Sequence, residues 1–263
     1  MDTETNINKN KNKDKNKDEC KDECKDKNKD KNKDECKDEC KDVITFIIPS
    51  IGKETLKYSI ESLRNQTSEN WKAIIVFDGC KNNLEETLNN DKFSIYEIEK
   101  TSGVINQASE VRNYALQYVN TKWVAFLDDD DTISHDYVEY FLKQTNIFQF
   151  DLFIYRMMNK DLKIFPSLES KDIIPCDVGI SFIVKKTVFD CVSFKNSHCE
   201  DYDFLNLVKK NNYLILISNT IKYFVKSFES DYINEQLEYG DLYKIFINGV
   251  NPFIYLHYFH NLK

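Results

Sequence analysis

The stretch VITFIIPSIGKETLKYSIESLRNQTSENWKAIIVFDG, residues 43–79, decides the fold. It opens on Val43-Ile44-Thr45-Phe46-Ile47-Ile48, a short, β-branched and nearly continuous apolar run. Such a run reads as a buried strand of a parallel sheet. Pro49 stops it, and Ile51-Gly52 makes a turn. Leu56, Ile60 and Leu63 then recur on one face of a helix. Trp71 to Phe77 is a second apolar strand, ending at Asp78-Gly79. Strand, helix and strand in so short a span are a βαβ unit.

Toward the C-terminus the alternation continues. Phe93 to Ile98 reads as a strand, and Gln107 to Val119 as a helix with Val111, Ala115 and Tyr118 facing inward. Lys122 to Leu127 is another buried strand, stopped by Asp128-Asp129-Asp130-Asp131. Ser134 is the expected N-cap of a helix running to about Thr145. Helices alternating with apolar strands give an α/β fold, a mainly parallel sheet flanked by helices. Further strands are expected at Leu152–Tyr155, Ile180–Val184, Tyr213–Ile217 and Ile221–Val225, and a helix at Glu200–Lys210. A C-terminal helix is expected over Tyr232–Ile247. The aromatic segment Pro252–His260 that follows is expected to pack over the domain.

Toward the N-terminus the composition changes abruptly. Residues 1–42 are almost entirely Lys, Asp, Glu and Asn with four cysteines, and their only clearly apolar side chains are Met1 and Ile7. A segment so poor in apolar surface cannot offset chain entropy, so a disordered tail is expected. Lys17–Cys24 repeats at Lys33–Cys40. Paired cysteines four apart suggest zinc, but structural zinc sites use closer pairs inside a folded unit, and repeat expansion is the simpler account. The chain thus divides into a tail (1–42), an α/β domain (43–229) and a C-terminal helix with the aromatic segment (230–263).

The tail holds 13 Lys and 14 Asp plus Glu; taken from the chain totals of 36 and 44, this leaves 23 basic and 30 acidic residues for 43–263. So acidic a body lacks the electrostatic footprint of a nucleic-acid binder. Cys80, Cys176, Cys191 and Cys199 form no disulfide framework or zinc spacing. The N-terminus is too polar for a signal peptide, and no run of about 20 apolar residues exists to span a bilayer. A soluble, cytoplasmic protein is expected.

In open α/β sheets, ligands bind beyond the carboxyl ends of the strands. Three polar sites fall there: Pro49-Ser50, Asp78-Gly79 and the run Asp128–Asp131. Four consecutive carboxylates persist either because water solvates them or because a cation neutralises them. Oxygen-only ligands on a short loop suit Mg2+ or Mn2+ better than zinc.

These pieces together resemble glycosyltransferases of family 2, which have a Rossmann-like GT-A fold and use nucleotide-diphospho-sugars. Phe46-Ile47-Ile48-Pro49-Ser50 resembles the family's opening strand and nucleotide loop, and Ser62–Thr67 the end of its first helix. Ile75–Gly79 resembles its second strand, Val111-Arg112-Asn113-Tyr114-Ala115 its Ala-Arg-Asn helix, Trp123–Asp131 its DxD strand, and Glu200–Phe204 its Glu-Asp motif. The likeness covers about 43–225. It implies that Asp78 bonds the nucleotide base, that Arg112 helps hold the nucleotide, and that Asp128 contacts ribose or donor sugar. Asp130 would bind Mn2+ or Mg2+ bridging the diphosphate, with Asp131 lining the site. Pro49, Ser50, Asp129 and Glu200 fall to the donor site, and Asp201 is the implied general base. The implied reaction is inverting, non-processive transfer of a hexosyl or N-acetylhexosaminyl group from a donor, UDP-sugar foremost, to a glycan, protein or lipid hydroxyl.

Plainer readings stand beside these. Asp201 also reads, as the lesser alternative, as a helix cap, Asp78 as a turn residue and Arg112 as a surface ion-pair partner. His198 reads as an incidental loop residue, whereas His257 and His260 are candidates for a late metal ligand. The family's polar Tyr-Asn after the opening Pro is here Ile51-Gly52. The Gln-x-x-Arg-Trp motif of processive synthases is missing from the sequence. A nucleotidyltransferase, or an inactive sugar-nucleotide-binding scaffold, is the competing reading.

Overall fold

A computed structural model describes residues 44–80, 91–104 and 106–226. The tail, the helix expected over Tyr232–Ile247, the aromatic segment and both His257 and His260 lie outside the described residues.

The opening strand takes the centre of the parallel half-sheet. β1 (Ile44–Ser50) is buried along its whole length. On one side it pairs in parallel with β2 (Trp71–Asp78), from Ile44 opposite Trp71 to Ser50 opposite Phe77. On the other it pairs in parallel with β4 (Trp123–Phe126), from Ile44 opposite Trp123 to Ile47 opposite Phe126. β3 (Phe93–Ile98) extends the sheet from β2, again in parallel. Sandwiched strands need apolar side chains on both faces, which is why these segments are runs rather than alternations.

The connections behave as their periodicity dictates. α1 (Leu56–Arg64) buries Leu56, Ile60 and Leu63. α2 (Gln107–Ala115) starts at Asn106, whose side chain accepts from the Ser109 amide, and buries Val111 and Ala115. Its last expected turn tightens into a 3-10 turn at Leu116–Tyr118, and Tyr118 is exposed.

The second half differs from the expectation in three places. Residues Asp131–Ile133 form a short strand, β5, that pairs antiparallel with Tyr223–Val225. Ser134 is therefore not the cap of the next helix: α3 (Tyr137–Thr145) starts after Asp136, and the Ser134 hydroxyl bonds that Asp136 carboxylate instead. The two strands expected over 213–225 are one, β9 (Ile215–Val225), with an irregular register against β6 (Leu152–Asn159). A two-residue strand, β7 (Ile164–Phe165), pairs with β6, and β8 (Phe182–Lys185) joins β4 to β6. Among the described residues the sheet runs β3-β2-β1-β4-β8-β6-β9-β5, parallel from β3 to β4 and mixed beyond. This is the α/β, GT-A-type sheet with helices that the sequence implied, its antiparallel pairings confined to the second half.

α4 (Glu200–Lys210) has the expected limits. Phe204 anchors it: its ring stacks on Phe194 at 4.5 Å and on Phe182 of β8 at 5.4 Å between centroids. That contact fixes the first turn of α4, with Glu200 and Asp201, against the sheet.

Candidate functional site

The register of β1, β2 and β4 brings their carboxyl ends together. Pro49 and Ser50 at the end of β1, Lys53 after it, Asp78 at the end of β2, and Asp128, Asp129 and Asp130 after β4 line one cleft of about 220 Å³, with Gln107 and Val111 of α2 also lining it. Six sequence-predicted donor-site or metal positions thus share one cavity.

Each carboxylate there has its own partner. Asp129 is buried and ties down the loop after β1: one oxygen accepts from the Ser50 hydroxyl at 2.9 Å and from the Ile51 amide at 3.3 Å. Its other oxygen lies 3.1 Å from Lys53 Nζ. Asp130 Oδ2 lies 3.0 Å from the same ammonium and 4.0 Å from Lys226 Nζ. Burial works against the charge of Lys53, but the two carboxylates outweigh it and hold its pKa above the ordinary value. Asp78 accepts from the Thr101 amide and the Thr101 hydroxyl, both at 2.7 Å, and so fixes the loop after β3. Gly79 follows at φ +70°, where a Cβ would sit 2.8 Å from the Lys100 backbone, so the Asp-Gly pair is required by the turn as well.

Asp131 is not brought into this cleft. It sits in β5 with its carboxyl toward the Lys226 amide, 2.9 Å away, and the Tyr223 hydroxyl. Burial and the nearby Asp128 push its pKa up to about 8.

Arg112 joins the first cleft to a second. Its side chain is 2% exposed, which excludes the reading as a surface ion pair. Nη2 donates to Asp128 Oδ1 at 2.7 Å, and Nη1 donates to Glu200 Oε1 at 3.2 Å and lies 3.7 Å from Asp201 Oδ1. Burial opposes its charge, but Asp128, Asp201 and Glu200 together raise its pKa. Every charged contact of the guanidinium is therefore a carboxylate of the chain itself.

Glu200 and Asp201 line the second cleft, of about 190 Å³, with Cys176, Val178, His198, Cys199 and Tyr202. Asp201 is not the N-cap of α4, which is Cys199, and its Oδ1 has no hydrogen-bond partner, but it stands in the first turn, where the helix dipole favours a carboxylate. The side chain is 21% exposed. Dense packing around the carboxyl nevertheless pushes its pKa up to about 7, with Arg112 opposing and Glu200 and Asp128 adding to the rise. A carboxylate poised near neutrality, ion-paired with Arg112 but without a hydrogen-bond donor on Oδ1, and lining a cleft, is suited to taking a proton.

The metal expectation meets a donor set of oxygens alone. Among the described residues no three His, Cys, Asp or Glu side chains converge on a point that could hold a metal ion. Mg2+ and Mn2+ do not require that, since one or two carboxylates with waters and substrate phosphates suffice. Asp130, with Asp128 beside it in the same cleft, fits that requirement. Among the described residues no helix is long and apolar enough to cross a membrane.

Sequence reading missed Lys53, Thr101 and Tyr223. Lys53 follows the Ile51-Gly52 departure in the first loop, and a cation there was its available signal. Thr101 and Tyr223 reach their partners across 23 and 95 residues of chain, and nothing local marks them.

The chain is similar to known glycosyltransferases. The model of the family described as glycosyl transferase family 2 matches residues 45–199. The UDP-Glc:alpha-D-GlcNAc-diphosphoundecaprenol beta-1,3-glucosyltransferase WfgD of Escherichia coli is 26% identical over 192 residues, covering 65% of this chain and 71% of that protein. The putative glycosyltransferase EpsH of Bacillus subtilis is 30% identical over 105 residues, 38% of this chain and 29% of its own. The structure of S. aureus TarS 1-349 in complex with UDP-GlcNAc superposes with a TM-score of 0.60 at 17% identity, over 73% of this chain and 61% of that one. The chain therefore spans less than two thirds of TarS 1-349 and under a third of EpsH.

Proposed function

We propose that this chain, which belongs to glycosyl transferase family 2, moves one sugar from a UDP-sugar to an acceptor hydroxyl with inversion at the anomeric carbon. Family membership establishes a glycosyltransferase; the donor, the stereochemistry and the metal are our reading. The observation that carries it is the double engagement of Arg112, which holds Asp128 of the first cleft and Glu200 and Asp201 of the second on one guanidinium.

The first cleft takes the nucleotide and its diphosphate. Pro49 and Ser50 form its floor, Asp78 stands at the base end, and Asp128 is placed to accept from a ribose or sugar hydroxyl. Asp130, with Asp128, would hold a divalent cation, which neutralises charge on the departing diphosphate. The acceptor approaches from the second cleft. Asp201 takes the proton of its hydroxyl as the oxygen bonds to the anomeric carbon and the bond to the diphosphate breaks. Attack opposite the leaving group inverts the anomeric centre without a covalent intermediate. Arg112 keeps Asp201 ionisable although its carboxyl is densely packed.

A panel of UDP-, GDP- and CMP-sugars, each with Mn2+ and with EDTA, tests the donor reading. Release of UDP from a UDP-hexose or UDP-N-acetylhexosamine, faster with Mn2+, is expected. Consumption of GDP- or CMP-sugars alone would reassign the donor, and equal rates in EDTA would remove the metal.

A further inference from the structure

We propose that Lys53 is the diphosphate-binding cation of the chain, held between Asp129 and Asp130 in the free protein and able to turn onto the donor's phosphates where a divalent ion would occupy Asp130. The proposal rests on the donor reading above and adds a residue and an exchange to it.

A nucleoside diphosphate entering the first cleft meets Asp78, Asp128, Asp129 and Asp130, all of its own sign. Arg112 offers no relief, being 2% exposed and turned to carboxylates. Lys53 is the one cationic side chain among the described residues that line the cleft. Its ammonium lies 3.1 Å from Asp129 and 3.0 Å from Asp130.

The loop fixes where Lys53 starts and leaves its head able to move. The Asp129 bonds to Ser50 and Ile51 pin the backbone, and Gly52 turns it at φ +79°. The Lys53 side chain is 40% exposed on a flexible four-carbon stem. An ammonium and a divalent cation repel each other, so a metal on Asp130 Oδ2 would weaken the hold of that carboxylate on Lys53. Lys226, 4.0 Å from the same oxygen, adds to that repulsion. Lys53, loosened from Asp130 where a metal would sit, could then turn to the phosphate oxygens of a bound diphosphate. The ammonium occupies the acidic mouth before the donor binds and supplies a charge-assisted hydrogen bond afterward.

The test compares wild type with Lys53→Met, which keeps an unbranched apolar stem at a partly exposed position. UDP and, as a phosphate-free control, uridine are titrated by calorimetry in Mn2+. Mn2+ alone is titrated into nucleotide-free protein by electron paramagnetic resonance. Loss of a charge-assisted bond predicts UDP binding about 10- to 100-fold weaker, uridine unchanged, and Mn2+ alone bound more tightly by the variant. Unchanged UDP affinity, or parallel loss of UDP and uridine, would overturn the phosphate role. Equal Mn2+ affinity would overturn the exchange. Wild type that binds no UDP would sink the donor reading instead, and the Mn2+ titration, which needs no donor, still decides whether Lys53 guards Asp130.

Discussion

Arg112 Nη2 lies 2.7 Å from Asp128 Oδ1, although the helix bearing the arginine and the loop bearing the aspartate are separate elements of the chain. The same guanidinium reaches Glu200 and Asp201 at the start of α4. One buried cation thus ties the loop after β4 to the first turn of α4, and with them residues that line both clefts.

Replacing Arg112 with Met should leave three carboxylates around an uncharged side chain. Breaking a buried charge cluster by removing one partner costs about 3–5 kcal/mol. Urea denaturation should show a loss of that order. A loss below about 1 kcal/mol, the range of exposed ion pairs, would mean that the cluster is well solvated.

Phe204→Ala should destabilise by about 3–5 kcal/mol, the usual cost of truncating a fully buried aromatic ring. Because Phe204 sits three residues past Asp201 on α4, transfer should also fall at temperatures where the variant is still folded. Full activity in a folded Phe204→Ala variant would show that the aromatic stack does not position the base.

The rate should follow the ionisation of Asp201. Its carboxyl is pushed up to about 7, chiefly by burial. A general base acts ionised, so turnover should rise as pH passes upward through about 7 and drop about tenfold per unit below it. A rate independent of pH between 5 and 8, at saturating donor, would move the base elsewhere.

Asp131 makes a prediction about stability of the opposite pH sense. Its carboxyl is raised from 3.8 to about 8, mainly by burial and by Asp128. The neutral form is the one the fold prefers, so this stabilisation is complete below about pH 4 and is lost as pH rises through about 8. Asp131→Asn keeps an acceptor for the Lys226 amide and cannot ionise. Measured in EDTA, its melting temperature should fall less than that of wild type between pH 5 and 9. Parallel curves would place the titration on another group.

The parallel half of the fold was legible because β1, β2 and β4 are buried on both faces and spell it out as apolar runs. β5 was not: Asp131 and Thr132 are polar, and the strand exists because Val225 and Phe224, over 90 residues away, pair with it. The same distant pairing is what unseats Ser134 as a cap. In the site, the strand ends located the first cleft, but adjacent carboxylates in one loop point different ways. The sequence of four Asp could not say that Asp129 braces the first loop, that Asp131 turns away to Tyr223, or that Lys53 lies between Asp129 and Asp130. Nor could the sequence say that Arg112 is buried with Asp128, Glu200 and Asp201 as its charged partners.

The central claim is that donor binding and proton removal belong to different carboxylates, and Asp201→Asn beside Asp130→Ala tests it most directly. Donor affinity is read by calorimetric titration of UDP with Mn2+, and turnover by UDP release from the preferred UDP-sugar. Asp201→Asn should bind UDP within a few-fold of wild type while turnover falls about 10²- to 10⁴-fold. Asp130→Ala should lose Mn2+-dependent UDP affinity together with turnover. Turnover by Asp201→Asn at the wild-type rate, or equal loss of UDP affinity in both variants, would contradict the account.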